Sequence, residues 1–410
     1  MHLIVLENEP SSCRGGQELS LFEVCRALSE RGHKISLIYI QEGNLLEGYQ
    51  AFCDQILKIN RYVFDRRRTT EVLEFIASLA AASKITASKN SVVLINQYHE
   101  AFFGSCLSFF KNTNFVSFLR IPPFAFNSQK RIGLKGINKF IAVSNHTKLD
   151  WVKFGIAADK IAVVYNGTNT EKFKPLENNI TNKKQWNIPE DVRVITYVGR
   201  LDKTKGLETL IGAFSLLVIN GINAKLLIAG KPLVHLGEDG KESPIIGEKY
   251  KLSLQQLSKD LGIEKNVDFL GHVADTVSLY QVSDVTVLPS RWSEPFGRVI
   301  IESMACGTPV VASRIGGIPE VLTGEFQQWL FEPGNQLDLA DKLNRIIHWR
   351  DRDSHLAYRC REHVLGKFTI DKMIDGIEKV LLQVVKQSTC QETFNILGTR
   401  KLDKITKIKN

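Results

Sequence analysis

Apolar and polar positions alternate along this chain in blocks. Residues 2–6 (HLIVL) form an unbroken apolar run of strand length, and a polar loop with two glycines (ENEPSSCRGGQE) follows. Leu19, Phe22, Val24 and Leu28 then recur at helical spacing up to Gly32, and a second apolar run, ISLIYI, occupies 35–40. Strand, helix and strand within forty residues predict the βαβ unit of a parallel sheet, whose strands are buried on both faces and so read as continuous rather than alternating hydrophobic runs. The same pattern continues at 92–95 (VVLI), 115–119 (FVSFL), 139–144 (KFIAVS) and 161–166 (IAVVYN).

The texture changes at 175–191, PLENNITNKKQWNIPED, which is polar, rich in Asn and Lys and bounded by prolines, as a linker is. Beyond it strands are predicted at 192–199, 225–230, 267–271, 284–290 and 309–313, with helical patterns such as LETLIGAFSLLV and LADKLNRIIHWR between them. The expected architecture is α/β: two doubly wound, Rossmann-like domains facing each other across a cleft, with ligands at the carboxyl ends of the strands. The predicted boundaries are a first domain over 1–175, a linker over 176–191 and a second domain over 192–365. A C-terminal helix over 366–390 is expected to cross back to the first domain, followed by a basic tail over 391–410. One polar stretch, 231–250, is longer than an ordinary loop and reads as a surface insertion, with a lid or partner contact as the other reading.

Composition narrows the class. At 410 residues and 43% hydrophobic, the chain can build two cores, and no low-complexity tract interrupts it. Its 7 cysteines are scattered and never occur as C-x-x-C, which argues against a disulfide framework and a structural zinc site and for a reducing compartment. Acidic residues cut off the first apolar run before signal-peptide length, and no stretch has the apolar length of a membrane span, so a cytoplasmic location is expected. The net charge of +9 suits anionic partners. Arg66, Arg67 and Arg68, and the tail TRKLDKITKIKN, read most simply as solvated charge; peripheral contact with an anionic membrane is the alternative.

Neither half carries G-x-G-x-x-G after its first strand, and there is no G-x-x-x-x-G-K-[ST] loop, so dinucleotide cofactors are not expected. Gly15 and Gly16 precede a helix, where paired glycines let backbone N–H groups face a phosphate, although a plain tight turn explains them as well. In GRLDKTKGLETLI, 199–211, Arg200 and Lys205 flank a loop running from a strand end into a helix, an arrangement suited to a diphosphate leaving group. In SRWSEPFGRVIIESMACGTPVVASRIGG, 290–317, the helix is predicted to begin near Phe296 with Pro295 at its first position, leaving Glu294 on the turn and Glu302 inside. Eight helical residues would separate the two carboxylates by about 12 Å along the axis and roughly 80° around it. That is wide for the ~5 to 5.5 Å of a retaining glycosidase pair. Divided labour fits better, with Glu302 accepting from a ribose diol and Glu294 reaching the sugar beyond a diphosphate.

These residues resemble the retaining glycosyltransferases of GT-B fold called group 1 or family 4, marked by two glutamates separated by seven residues, here Glu294-PFGRVII-Glu302. The likeness extends to GGQE at 15–18, ALSERGHKISLI, KFIAVSNHTKLDWVKFGI, KIAVVYNGTNTEKFKP and VGRLDKTKGLETLI, in the same order. It implies that Arg200 and Lys205 clamp the donor diphosphate and that Glu302 binds the ribose. Glu294, with the backbone of Phe296 and Gly297, would hold the transferred sugar. Gly15 and Gly16 would belong to the nucleotide-sugar-binding set, and His99, in NQYHEAFFG, would be the active-site histidine. The implied reaction moves a hexose from a UDP- or GDP-sugar to a saccharide or lipid-linked acceptor with retention, in polysaccharide or glycolipid biosynthesis. It would need no metal and no cofactor besides the donor, which agrees with the lack of a D-x-D motif in a suitable strand-end loop, and no nucleic acid partner is expected. Two departures stand out: AGKP at 229–232 in place of the family's Gly-Asp-Gly-Pro, and Arg120 where many relatives have a histidine. A nucleotide-sugar epimerase on the same scaffold and a non-catalytic nucleotide-sugar-binding protein are the alternatives.

Overall fold

A computed structural model of the chain describes every residue except 13–15, 89, 125, 177–182, 185, 233–234, 237–241, 244 and 388–410. Gly15, the basic tail and much of the 231–250 insertion therefore lie outside the described residues, as does part of the expected linker. The chain divides into two compact units, one formed by Met1–Tyr165 with the segment from Met373 onward, the other by Asn166–Lys372.

The first unit is built on seven parallel strands: β1 (His2–Glu7), β2 (Lys34–Tyr39), β3 (Gln55–Lys58), β4 (Ser91–Ile95), β5 (Asn114–Leu119), β6 (Lys139–Ala142) and β7 (Ile161–Val163). Their order across the sheet is β3-β2-β1-β4-β5-β6-β7. Every residue of β1, β4 and β5 is buried, the condition that erases alternation from their sequences. Ile4, Leu6, Val93, Ile95, Phe103, Phe115 and Trp151 share one core with the covering helices. The edge strand β3 (QILK), partly exposed along its length, has no apolar run and escaped the sequence reading.

The second unit contains β8 (Arg193–Val198), β9 (Ala224–Ala229), the two-residue pair β10 (His235–Leu236) and β11 (Glu242–Ser243), β12 (Val267–Gly271), β13 (Val285–Leu288), β14 (Val310–Ser313) and β15 (Leu330–Phe331). Six of these form a parallel sheet in the order β12-β9-β8-β13-β14-β15, and β10 pairs with β11 antiparallel. The expected pair of Rossmann-like α/β domains is thus present. Strand order reverses between β1 and β4 in one unit and between β8 and β13 in the other, and the crevice at such a switch point, outside the strands' carboxyl ends, is where open α/β sheets bind ligands.

Residues 370–387 are helical, and the part from Met373 belongs to the first unit. Arg31 Nη1 and His33 Nε2 both reach the Glu378 carboxylate at 2.6 Å, and Gly376 leaves room for Val164. In the second unit, Thr168 N–H donates to Phe368 O and Ile370 N–H to Thr168 O, both at 2.9 Å, which ties residues 166–176 to that unit.

Candidate active site

The loops after β8 and β13 meet at the second unit's switch point. After β8 the chain turns through Lys203–Lys205, capped by Asp202, whose Oδ1 accepts the Thr204 N–H at 2.8 Å. Gly206, at φ +69°, then starts the helix Leu207–Ile219. A β-carbon on Gly206 would lie 2.1 Å from the Pro289 carbonyl oxygen, so only glycine lets this loop lie against the β13 loop. Arg291 and Trp292 complete the seam by donating their N–H groups to Thr204 O at 2.8 and 3.2 Å.

That seam brings Lys205 and Glu294 together, with Nζ 2.5 Å from Oε2. Ser290 Oγ donates to the same carboxylate oxygen at 3.3 Å. Arg200 is not drawn into this pair. Its carbonyl accepts from Tyr197 Oη at 2.7 Å, its side chain is exposed, and no acid pairs with it among the described residues. The basic loop therefore offers one cation already engaged with Glu294 and one turned to solvent, beside the N-terminus of a 13-residue helix that favours anions.

The β13 loop corrects one expectation. The helix begins at Arg298 rather than near Phe296, because Gly297 sits at φ +88°, a conformation that interrupts a right-handed helix. Pro295 is thus outside it. The Phe296 ring is buried and meets Phe368 edge-on at 5.8 Å, so only the backbone there is available to a ligand. Glu302 occupies the second turn of Arg298–Ala305, where Tyr280 Oη donates to Oε2 at 3.0 Å and Arg298 Nε lies 3.5 Å from Oε1. The two glutamates keep separate partners. Ser290 and Arg298 lie inside the quoted motif but were not singled out, and Tyr280 carries no local signal.

In the first unit, Gly16 opens the helix Gly16–Glu30 that follows β1. His99 lies in a short turn, Tyr98–Glu100, directly after β4. Its ring faces Tyr98 with centroids 4.4 Å apart, and desolvation, then the charge of Lys130, pushes its pKa down to about 4. The residue is still exposed, so solvent moderates the shift, but the direction leaves a neutral imidazole at pH 7. Arg120, which stands where many relatives have a histidine, is buried: its guanidinium lies 4.3 Å from the Phe118 ring centroid and Nη1 donates to Ser20 Oγ at 2.8 Å. A cavity of about 510 Å³ in this unit, lined by Arg131, Lys135 and Lys160 around Leu134, Phe140 and Phe154, sits near the amino ends of β6 and β7 and includes none of these residues.

Comparison with known proteins decides the family. The pattern described as Glycosyl transferases group 1 matches residues 178–363, and that of Glycosyltransferase Family 4 matches 14–172. The chain belongs to the group 1 glycosyltransferases. It is 29% identical over 262 residues to N-acetyl-alpha-D-glucosaminyl L-malate synthase of Bacillus anthracis, covering 63% of each chain. It is 34% identical over 226 residues to an uncharacterized glycosyltransferase of Methanocaldococcus jannaschii, covering 54% of this chain and 53% of that one. These matches span little more than half to under two thirds of the relatives' lengths. Anabaena HepE, solved in complex with UDP and glucose, superposes with a TM-score of 0.76 over 92% of this group 1 chain and 98% of its own at 22% identity, which establishes the GT-B fold.

Proposed function

We propose that the protein is a retaining glycosyltransferase that moves a hexose-type sugar from a UDP- or GDP-sugar to a saccharide or lipid-linked acceptor in polysaccharide or glycolipid biosynthesis. The observation that carries the reading is the Lys205–Glu294 pair at 2.5 Å, set at the switch point of a parallel sheet and beside a helix N-terminus. A diphosphate placed there would meet Lys205, Arg200 and the backbone amides of the helix start, and Glu294, released from Lys205, would accept from hydroxyls of the sugar. Glu302, held by Tyr280, would take the ribose diol. The structure solved with UDP and glucose is similar throughout this chain, which supports a nucleotide-sugar donor.

The proposed step forms a bond between an acceptor hydroxyl oxygen and the anomeric carbon while the bond from that carbon to the diphosphate oxygen breaks, on the same face. The acceptor proton passes to a donor phosphate oxygen and the nucleoside diphosphate departs, its charge met by Lys205 and Arg200 without a metal. His99, neutral near pH 7, would act by hydrogen bonding to the transferred sugar rather than as a cation. The enzyme would act in the cytoplasm, and peripheral contact with an anionic membrane belongs to the same reading. Arg66, Arg67 and Arg68 are exposed, and the helix that follows carries exposed Leu73 and Ile76. No helix among the described residues is long and apolar enough to cross a membrane.

A screen of UDP- and GDP-sugars by calorimetry, followed by turnover with and without saccharide acceptors, tests the proposal. Free nucleotide appearing with a glycosylated acceptor is the expected result. Donor epimerised without an acceptor would identify an isomerase, and donor bound but never consumed would identify a binding protein.

A further inference from the structure

Behind the His99 turn lies a network of polar side chains that the proposed chemistry does not use. Glu7, at the end of β1, keeps 1% of its surface exposed, Asn96 1%, Glu100 3%, Arg120 6% and Glu18 7%. Burying so many polar groups in one place is costly unless they are hydrogen-bonded, and the bonds between them restrict the geometry of the segments that carry them.

The connections run between three loops at the sheet's carboxyl edge. Asn96 Nδ2 donates to Glu7 Oε2 at 3.3 Å. The Glu100 carboxylate accepts the N–H of Gln97 at 3.4 Å and, in return, the Gln97 side chain accepts from the Glu100 N–H, a capping box that closes around the turn bearing His99. Gln97 Nε2 donates to Glu18 Oε1 at 3.3 Å, on the helix that Gly16 opens, and Arg120, just after β5, donates to Ser20 on that same helix. Among the described residues no donor reaches Asn96 Oδ1, which leaves it open to a proton-bearing neighbour.

We propose that Glu100 and Arg120 are positioning residues for His99: through this buried network they fix the turn that carries His99 and the helix that starts at Gly16 in one mutual arrangement. The inference rests on the reading of His99 as the active-site histidine. Its chemistry is consistent with burial, which together with the neighbouring carboxylates favours the protonated forms of Glu7 and Glu100. A carboxylic acid can both donate and accept, so such groups link the loops without leaving bare charges between them.

The test is histidine NMR on 13C-labelled full-length protein, with the His99 ring signal identified by its loss in His99→Gln. Glu100→Ala opens the capping box, and Ser20→Ala, a small change on the far side of the network, removes the Arg120 contact should the first variant fold poorly. Both are expected to shift the His99 signal and to move its titration from about 4 toward 6.5, while Glu100→Gln, which keeps an acceptor oxygen, restores the wild-type signature. In turnover, Glu100→Ala is expected to lower kcat about tenfold with donor KM unchanged. If His99 superimposes on wild type and titrates at the same pH in both Ala variants, positioning is wrong whatever the turnover. A displaced His99 signal in a protein whose wild type consumes no UDP- or GDP-sugar would uphold the positioning and overturn the transferase reading instead.

Discussion

Lys205 Nζ donates to Glu294 Oε2 at 2.5 Å across 89 positions of sequence, with 22% and 17% of the two side chains exposed. Each charge is therefore balanced by the other, and a diphosphate must compete with Glu294 for the ammonium. Lys205→Ala removes a charge-assisted contact of about 2 to 3 kcal/mol, so donor affinity should fall roughly 100-fold. Glu294→Gln frees Lys205, and UDP or GDP alone should then bind several-fold tighter while transfer falls. Calorimetry with the bare nucleotide separates these effects, and unchanged binding in Lys205→Ala would remove Lys205 from the diphosphate site.

Gly316 packs so closely on the Glu294 backbone that a β-carbon there would lie 2.2 Å from the Glu294 carbonyl oxygen, and its φ is +61°. The neighbouring Gly317 N–H donates to that carbonyl at 2.8 Å. Gly316→Ala must push the Glu294 turn away. The expected cost is about 3 kcal/mol of stability from strain and overpacking together, or roughly 6 to 12 °C in Tm, with donor binding weakened in parallel. A melting curve that matched wild type would show that the turn yields easily.

Tyr280 is buried beneath the helix that carries Glu302 and donates to its carboxylate at 3.0 Å. Tyr280→Phe keeps the packing and deletes one hydrogen bond to a charged group, normally about 1.5 to 3 kcal/mol. If Glu302 binds the ribose, affinity for a nucleotide sugar should drop about tenfold while affinity for the free sugar is unaffected. Equal loss for both would move Glu302 away from the nucleotide.

How much of this was legible beforehand follows from the range of the forces. Strands β1 and β4 were visible because burial on both faces leaves an unbroken apolar run, and β5 and β8 because only Ser117 and Thr196 interrupt theirs, whereas edge strand β3 and two-residue β15 leave none. Lys205 and Glu294 could be placed on strand-end loops from local pattern alone, but their ion pair depends on the order β8-β13 and on Gly206 and Gly316 permitting two loops to touch. The helix start was misplaced by two residues because Pro295 is compatible with a first turn and the left-handed Gly297 cannot be read from its identity. Tyr280 and the buried partners of Arg120 are products of topology and had no local signature.

The buried carboxyls of the first unit give a pH signature with a definite sign. Glu7 is pushed well above 4.5 chiefly by burial, then by Glu100 and Glu18, with Arg120 and the Asn96 amide opposing. Cys25, Tyr49 and Tyr62 also adjoin it and are themselves raised by burial, hence neutral. Because the folded state holds a proton that the unfolded chain releases near 4.5, stability is full below that pH and falls as pH rises through the folded value. Glu7→Gln should flatten the decline in Tm between pH 5 and pH 8, and a variant that declines as steeply as wild type would remove Glu7 as its source.

His99 carries the opposite sign. Desolvation, then Lys130, lowers it from 6.5 to about 4, so between those values the unfolded chain binds more protons than the folded one. Its contribution to stability is complete above 6.5 and is lost as pH falls toward 4. A turnover profile should accordingly show no His99 ionisation between pH 5 and pH 8, and the ring's NMR titration should have its midpoint near 4. Lys130→Ala removes only the second cause, so the midpoint should rise by less than half of the interval to 6.5. A midpoint near 6.5 in the wild type would mean that solvent reaches the ring freely, and His99 would then enter the reaction partly as a cation, against the neutral hydrogen-bonding role assigned to it.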